Sequence, residues 1–199
     1  MADVISKRSV DPAAVEAILT QALAIPHDSL SKLTGIARVI DLPKGHLLFS
    51  AGKLEHDIYF IVRGIARVYY YRGDHTATLC FNNEGEVLIS LKSYIENRPG
   101  YENIELLEPS RLLQLKTNDL IKLYTSDIHI ANWGRRLAEL ELIKTEERLM
   151  SKLFNTASER YRELIQKQPE LLQRVQLGHI ASYLGISQVT LSRIRAEVR

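Results

Sequence analysis

Leu177-Gly-His-Ile-Ala-Ser-Tyr-Leu-Gly-Ile-Ser-Gln-Val-Thr-Leu-Ser-Arg-Ile-Arg195 is the stretch that decides the architecture of this chain. Two short helices crossing at a sharp angle need a small residue at the crossing, a glycine in the turn and apolar residues that lock the pair. Ala181 meets the first need, Gly185 the second, and Ile180, Leu184, Ile186, Leu191 and Ile194 the third. Ser187 stands where its hydroxyl can accept a hydrogen bond from an amide in the first turn of the second helix. With those positions turned inward, Gln188, Val189, Ser192 and Arg193 face out. Such a row suits a helix entering the major groove of DNA, since Gln pairs with adenine, Arg with guanine, and a Val methyl touches thymine. Ser187 opens this DNA-facing set, and Thr190, Arg195 and Arg199 are its candidate phosphate contacts. An ordinary structural helix pair is the alternative, and it requires Ala181, Gly185, Leu191 and the inner apolar set to coincide by chance.

Upstream, the charge supports the same reading. Residues 1–149 carry 18 Lys and Arg against 20 Asp and Glu, whereas residues 150–199 carry 8 against 4. The basic tail suits a phosphate backbone, although a solvated surface can carry the same excess. Between Asp127 and Phe154 the pattern is helical, with Ile130, Trp133, Leu137 and Leu140 at spacings of 3, 4 and 3. That stripe packs along another helix, either a second copy of itself or an element of its own domain. An Arg- and Glu-rich helix follows over 156–166, and Pro169 breaks it.

From Val39 to Lys116 short runs of Val, Ile, Leu, Tyr and Thr alternate with Gly45, Gly52, Gly64, Gly73 and Gly85. This texture predicts an antiparallel sandwich of short strands. Two hairpins are expected: 57–62 with 65–71 through Arg63-Gly64, and the latter strand with 75–81 through Arg72-Gly73-Asp74. An N-terminal helix is expected over Asp11–Leu23, with Asp11 as its cap and Pro12 in its first turn. Strands followed by helices give an α+β chain of three parts: 1–126 a jelly-roll sensor, 127–154 a dimerisation helix and 155–199 a helix-turn-helix domain.

Over about 30–199 the sequence resembles the Crp/Fnr family of transcription regulators, a cyclic-nucleotide-binding-like jelly roll joined by a dimer helix to a winged helix-turn-helix. Thr156-Ala-Ser-Glu-Arg-Tyr161, Pro169-Glu-Leu-Leu-Gln-Arg-Val175 and Ile180-Ala-Ser-Tyr-Leu-Gly-Ile186 look like the branch of that family common in Bacteroidetes. The resemblance implies a homodimer on a near-palindromic double-stranded operator, with contact to RNA polymerase. It places base contacts on Gln188, Val189 and Arg193, where better-known members begin the helix with Arg-Glu. It implies a dimer interface at Ile130, Trp133, Leu137 and Leu140, and a wing shortened into Pro169–Val175.

Family members that bind cyclic nucleotides hold the ribose and phosphate with a Gly-Glu turn and a later arginine pair. Gly85-Glu86 matches the turn, but the arginine position falls near Gly100-Tyr101, and Arg98 lies about two residues early. Gly85, Glu86, Arg98 and Tyr101 are therefore the candidate ligand set, a cyclic nucleotide is not expected, and another small effector or none is left open. A regulator whose sensor has decayed into a dimerisation block is the second reading. A cupin-type metalloenzyme is the distant third, and it needs clustered His and Glu ligands, whereas no His-x-His occurs and His46, His56 and His75 are scattered. No catalytic or metal site is expected. The single Cys80 excludes an internal disulfide and a four-thiolate site from one chain. No run approaches the roughly 20 apolar residues that cross a bilayer, and Met1–Pro12 has neither signal-peptide nor lipidation features, so the cytoplasm is expected.

Overall fold

A computed structural model describes residues 11–73 and 75–197. Asp74 of the second turn, the segment before Asp11, and Arg199 lie outside the described residues. Along the chain run α1 (Pro12–Thr20), α2 (His27–Gly35), β1 (Ala37–Leu42), β2 (Leu47–Phe49), β3 (Asp57–Arg63), β4 (Ala66–Arg72), β5 (His75–Asn82) and β6 (Val87–Leu88). Then come α3 (Leu91–Glu96), β7 (Asn103–Leu106), β8 (Ser110–Lys116), α4 (Thr117–Ser126), α5 (Ile128–Phe154), α6 (Ala157–Lys167), α7 (Leu171–Arg174), α8 (Leu177–Leu184) and α9 (Gln188–Glu197).

The strands form two antiparallel four-stranded sheets, ordered β1-β8-β3-β6 and β2-β7-β4-β5, facing each other as a roll. Strand periodicity divides the side chains between two cores. On the inner face of β8 Leu112 joins Ile61, Leu88, Ile104 and Leu106 between the sheets. On its outer face Leu113 and Leu115 join Ile58 and Phe60 beneath α1, α2, α4 and α5.

One of the two expected hairpins forms. β4 and β5 pair in register from Ala66↔Asn82 to Arg72↔His75, with a shift between Val68 and Tyr69. β3 and β4 do not pair, because the chain crosses from one sheet to the other at Gly64. There φ is +125°, and a Cβ would stand 2.1 Å from the Ser110 Oγ, so only glycine fits the corner. α1 begins after its expected cap, Asp11, and α5 begins after Asp127, whose carboxylate caps it as well.

Asp127 shows how α5 is anchored. Its carboxylate accepts from the amides of His129 (3.1 Å) and Ile130 (3.4 Å), from the Ser29 hydroxyl, and from the Lys32 ammonium at 2.8 Å. The Lys32 ammonium, then the hydroxyl and the amides, hold its pKa down at about 2 against the upward push of burial. The unfolded value is about 3.9, so this carboxylate stabilises the fold fully above about pH 4 and loses that contribution as pH falls towards 2. We expect urea midpoints to drop between pH 4 and pH 2, and Asp127→Asn to flatten part of that drop while lowering the midpoint at pH 7. Equal acid sensitivity in the variant and the parent would refute the assignment.

Candidate nucleic-acid interface

α8 and α9 cross through a three-residue turn whose geometry follows from its residues. Gly185 sits at φ +68°, the left-handed conformation that ends α8, and the Ile186 amide returns to the Ala181 carbonyl at 3.0 Å. The Ser187 Oγ accepts from the Thr190 amide at 3.1 Å and so caps α9. Ile180, Ala181, Leu184, Leu191 and Ile194 are all buried. Ser187, Gln188, Val189, Thr190, Ser192 and Arg193 are exposed, and Arg195 is half-buried. Arg193 forms no ion pair among the described residues. The Gln188 amide nitrogen lies 2.8 Å from where a Cβ on Gly178 would be, so this glycine makes room for the first outward residue. The Ser192 hydroxyl donates to the Gln188 carbonyl at 3.0 Å and presents its lone pairs outward. Pro169–Val175, expected as a shortened wing, contains the four-residue α7, and no strand follows Lys116 among the described residues.

These helices complete their core with the end of the roll. Ile65, Phe81 and Leu107 belong to the same apolar cluster as Tyr161, Leu171, Ile180 and Leu191. Ser182, which the sequence pattern left unmarked, takes the place of a strand neighbour for the edge strand β5. Its hydroxyl accepts from the Thr78 amide (3.0 Å) and donates to the Thr76 carbonyl (2.8 Å). Arg174 donates to Glu84 at 2.7 Å and Glu108 at 2.6 Å, and Glu170 accepts from Asn83 at 3.0 Å. The Arg174 guanidinium, helped by the Gly64 amide, holds Glu84 at a pKa of about 2.

The four candidate ligand residues each have other neighbours. Gly85 turns at φ +85° against the Gln21 side chain, and Glu86 accepts from the Asn83 amide (3.0 Å) and the Lys144 ammonium (3.1 Å). Arg98 is exposed beside Glu96, and Tyr101 is 67% exposed. At Gly100, near which the resemblance puts the arginine position, a Cβ would meet the buried Ser90 hydroxyl at 2.5 Å and the Glu102 carboxylate at 3.0 Å. One Glu102 oxygen is buried without a partner, and none of the described residues brings a cation to Ser90, Ser93 or Glu102 within hydrogen-bonding distance. A phosphate monoanion needs positive charge where this cradle holds a carboxylate, so the residues present do not fit a cyclic nucleotide.

Within a single chain the expected dimer stripe is largely covered. Ile130 and Trp133 are fully buried in the chain's own core beneath α1 and α2, Leu137 packs on the same cluster, and Leu140 is half-buried. The exposed apolar row lies further along α5: Leu142, Ile143, Leu149, Met150, Leu153 and Phe154, spaced by sevens and fours.

Residues 39–127 match the family model of the cyclic nucleotide-binding domain. Among solved structures, FixK2 from Bradyrhizobium japonicum superposes with a TM-score of 0.68 at 19% identity, covering 82% of this chain and 84% of that one. The c-di-GMP-responsive global regulator CLP of Xanthomonas campestris gives 0.65 at 14% identity, over 87% of this chain and 91% of its own. The catabolite activator protein of Thermus thermophilus gives 0.56 at 21%, over 91% and 86%. No curated protein matches the chain in sequence. Residues 39–127 thus match the cyclic nucleotide-binding domain, in a chain whose fold is similar to that of FixK2, CLP and the catabolite activator protein.

Proposed function

We propose that this protein is a non-enzymatic transcription regulator of the Crp/Fnr type, which binds a near-palindromic operator as a homodimer through α9 and contacts RNA polymerase there. The carrying observation is the row Gln188, Val189, Ser192 and Arg193, left exposed while the opposite face of α9 is buried. In this reading residues 1–126 form a sensor, 127–154 a dimer helix and 155–199 a helix-turn-helix domain, in the manner of the Bacteroidetes branch. The second half of α5 is the seam, and Thr190 and Arg195 meet phosphates. Two α9 helices must reach successive major grooves, roughly 34 Å apart, so the seam sets affinity. No helix among the described residues is long and apolar enough to cross a membrane, and a DNA partner places the protein in the cytoplasm.

Selection of bound fragments from genomic DNA by the purified protein tests this. We expect a near-palindrome, and for Arg193→Ala a loss of about 1–3 kcal/mol concentrated at one base of each half-site. A uniform loss over all sequences would leave Arg193 with phosphate alone, and no enrichment by either protein would overturn the reading. The Glu102 carboxylate at the cradle favours a second form of the same function, in which no nucleotide controls DNA binding. Operator affinity unchanged by cyclic nucleotides is its expected result.

A further inference from the structure

A cavity of about 220 Å³ lies where β5, α5, α6 and α8 converge, and its lining includes none of Ser90, Ser93, Gly100 and Glu102. At roughly 30 Å³ per water it has room for about seven waters, the size of a small metabolite. Its charges are unevenly paired. Lys144 is held by Glu86 at 3.1 Å and by Glu141 at 2.8 Å, and Glu147 holds Lys167 at 3.3 Å, so both lysines are paired. Three charged groups then remain on the lining: Arg148, Arg160 and Glu163. Glu163 is satisfied by the Ser151 hydroxyl at 2.6 Å and the Asn155 amide at 2.5 Å.

Neither guanidinium has a carboxylate partner among the described residues. Arg160 is fixed by its Nη1 and Nη2 donations to the Asn155 (2.6 Å) and Leu184 (2.7 Å) carbonyls, and its Nε is buried with no acceptor. Arg148 donates only to the Thr145 hydroxyl at 3.0 Å and has no carboxylate partner among the described residues. A buried guanidinium N–H without an acceptor costs free energy that a bound oxyanion would recover. Cys80 and Tyr183 also line the space, and burial pushes both their pKa values up, so neither adds negative charge. Phe81 and Leu164 supply an apolar wall.

We propose that this cavity binds a small metabolite through a carboxylate or phosphate group held by Arg148 and Arg160. The lining spans the roll, the long helix and both α6 and α8, so an occupant binds the docked arrangement and is released when the elements part. That coupling rests on the regulator reading above, whereas the binding itself does not. The effector site then lies outside the nucleotide cradle, at the joint it controls.

The test is calorimetric titration of the full-length protein with inorganic phosphate and, separately, with succinate, at constant ionic strength set by sodium chloride. One site per chain is expected for at least one probe, and the arm that binds identifies the group. Arg148→Ala should weaken it at least fivefold without loss of fold, since the side chain's one hydrogen bond among the described residues is to Thr145. Arg135→Ala, on the same helix and paired with Glu139, should bind as the parent does. No binding of either probe, or equal binding by Arg148→Ala, overturns the proposal. Loss of operator binding with the anion site intact would instead sink the regulator reading alone.

Discussion

Trp133→Ala should destabilise the fold by about 3–5 kcal/mol, the largest single-residue effect expected within one chain. Trp133 has no exposed surface, its ring lies 6.1 Å from that of Phe60 on β3, and its indole Nε1 donates to the Leu19 carbonyl at 2.5 Å. Three elements distant in sequence therefore meet on one side chain. Truncation leaves a cavity and also strips a buried carbonyl of its donor, which by itself costs about 1–3 kcal/mol. Trp133→Phe separates the two, because it refills most of the space without restoring the hydrogen bond, and should cost about 1–3 kcal/mol. Urea unfolding followed by circular dichroism measures both. A Trp133→Ala loss under about 1 kcal/mol would mean that this face of α5 is not packed as described.

That burial also shows where the sequence was legible and where it was not. The spacing of Ile130, Trp133 and Leu137 specifies a helix and which face of it is apolar, and both hold. Periodicity carries no information about what covers the face, and here α1, α2 and β3 do. The turn at Gly185 was legible because a left-handed residue after an apolar helix demands glycine locally. The path at Gly64 was not, since a glycine between two strand-like runs looks the same whether it closes a hairpin or carries the chain into the opposite sheet. In the site itself, the inner and outer rows of α9 follow from helical spacing and match the burial. Ser182 and Arg174 went unnoticed because their partners, Thr76, Thr78, Glu84 and Glu108, are 66 to 106 residues away. No local pattern marks them. Arg148 and Arg160 emerge only when the pairing of every neighbouring charge is known.

Leu149→Glu should give a folded monomer with little operator affinity. Leu149 is 55% exposed, between Leu142 at 68% and Leu153 at 64%, and none of the three belongs to a core cluster of its own chain. Left in water, such a row is unfavourable; paired with a second copy about a two-fold axis, each residue is buried twice. Full burial of a leucine is worth about 1.5–3 kcal/mol, of which roughly half is available at 55% exposure, so losing two copies costs roughly 1.5–3 kcal/mol and placing two carboxylates in an apolar seam adds at least as much. At 1.4 kcal/mol per tenfold, dimer affinity falls by more than about a hundredfold. Sedimentation velocity at micromolar protein reads the monomer, anisotropy on the operator reads the lost binding, and thermal unfolding of the monomer reads the intact fold. Trp133→Phe supplies the reciprocal control, being less stable yet still dimeric where it is folded. A Leu149→Glu protein that sediments as a dimer would remove the seam from α5. Loss of the dimer by Trp133→Phe, under conditions where its circular dichroism is native, would return the seam to the first half of the helix.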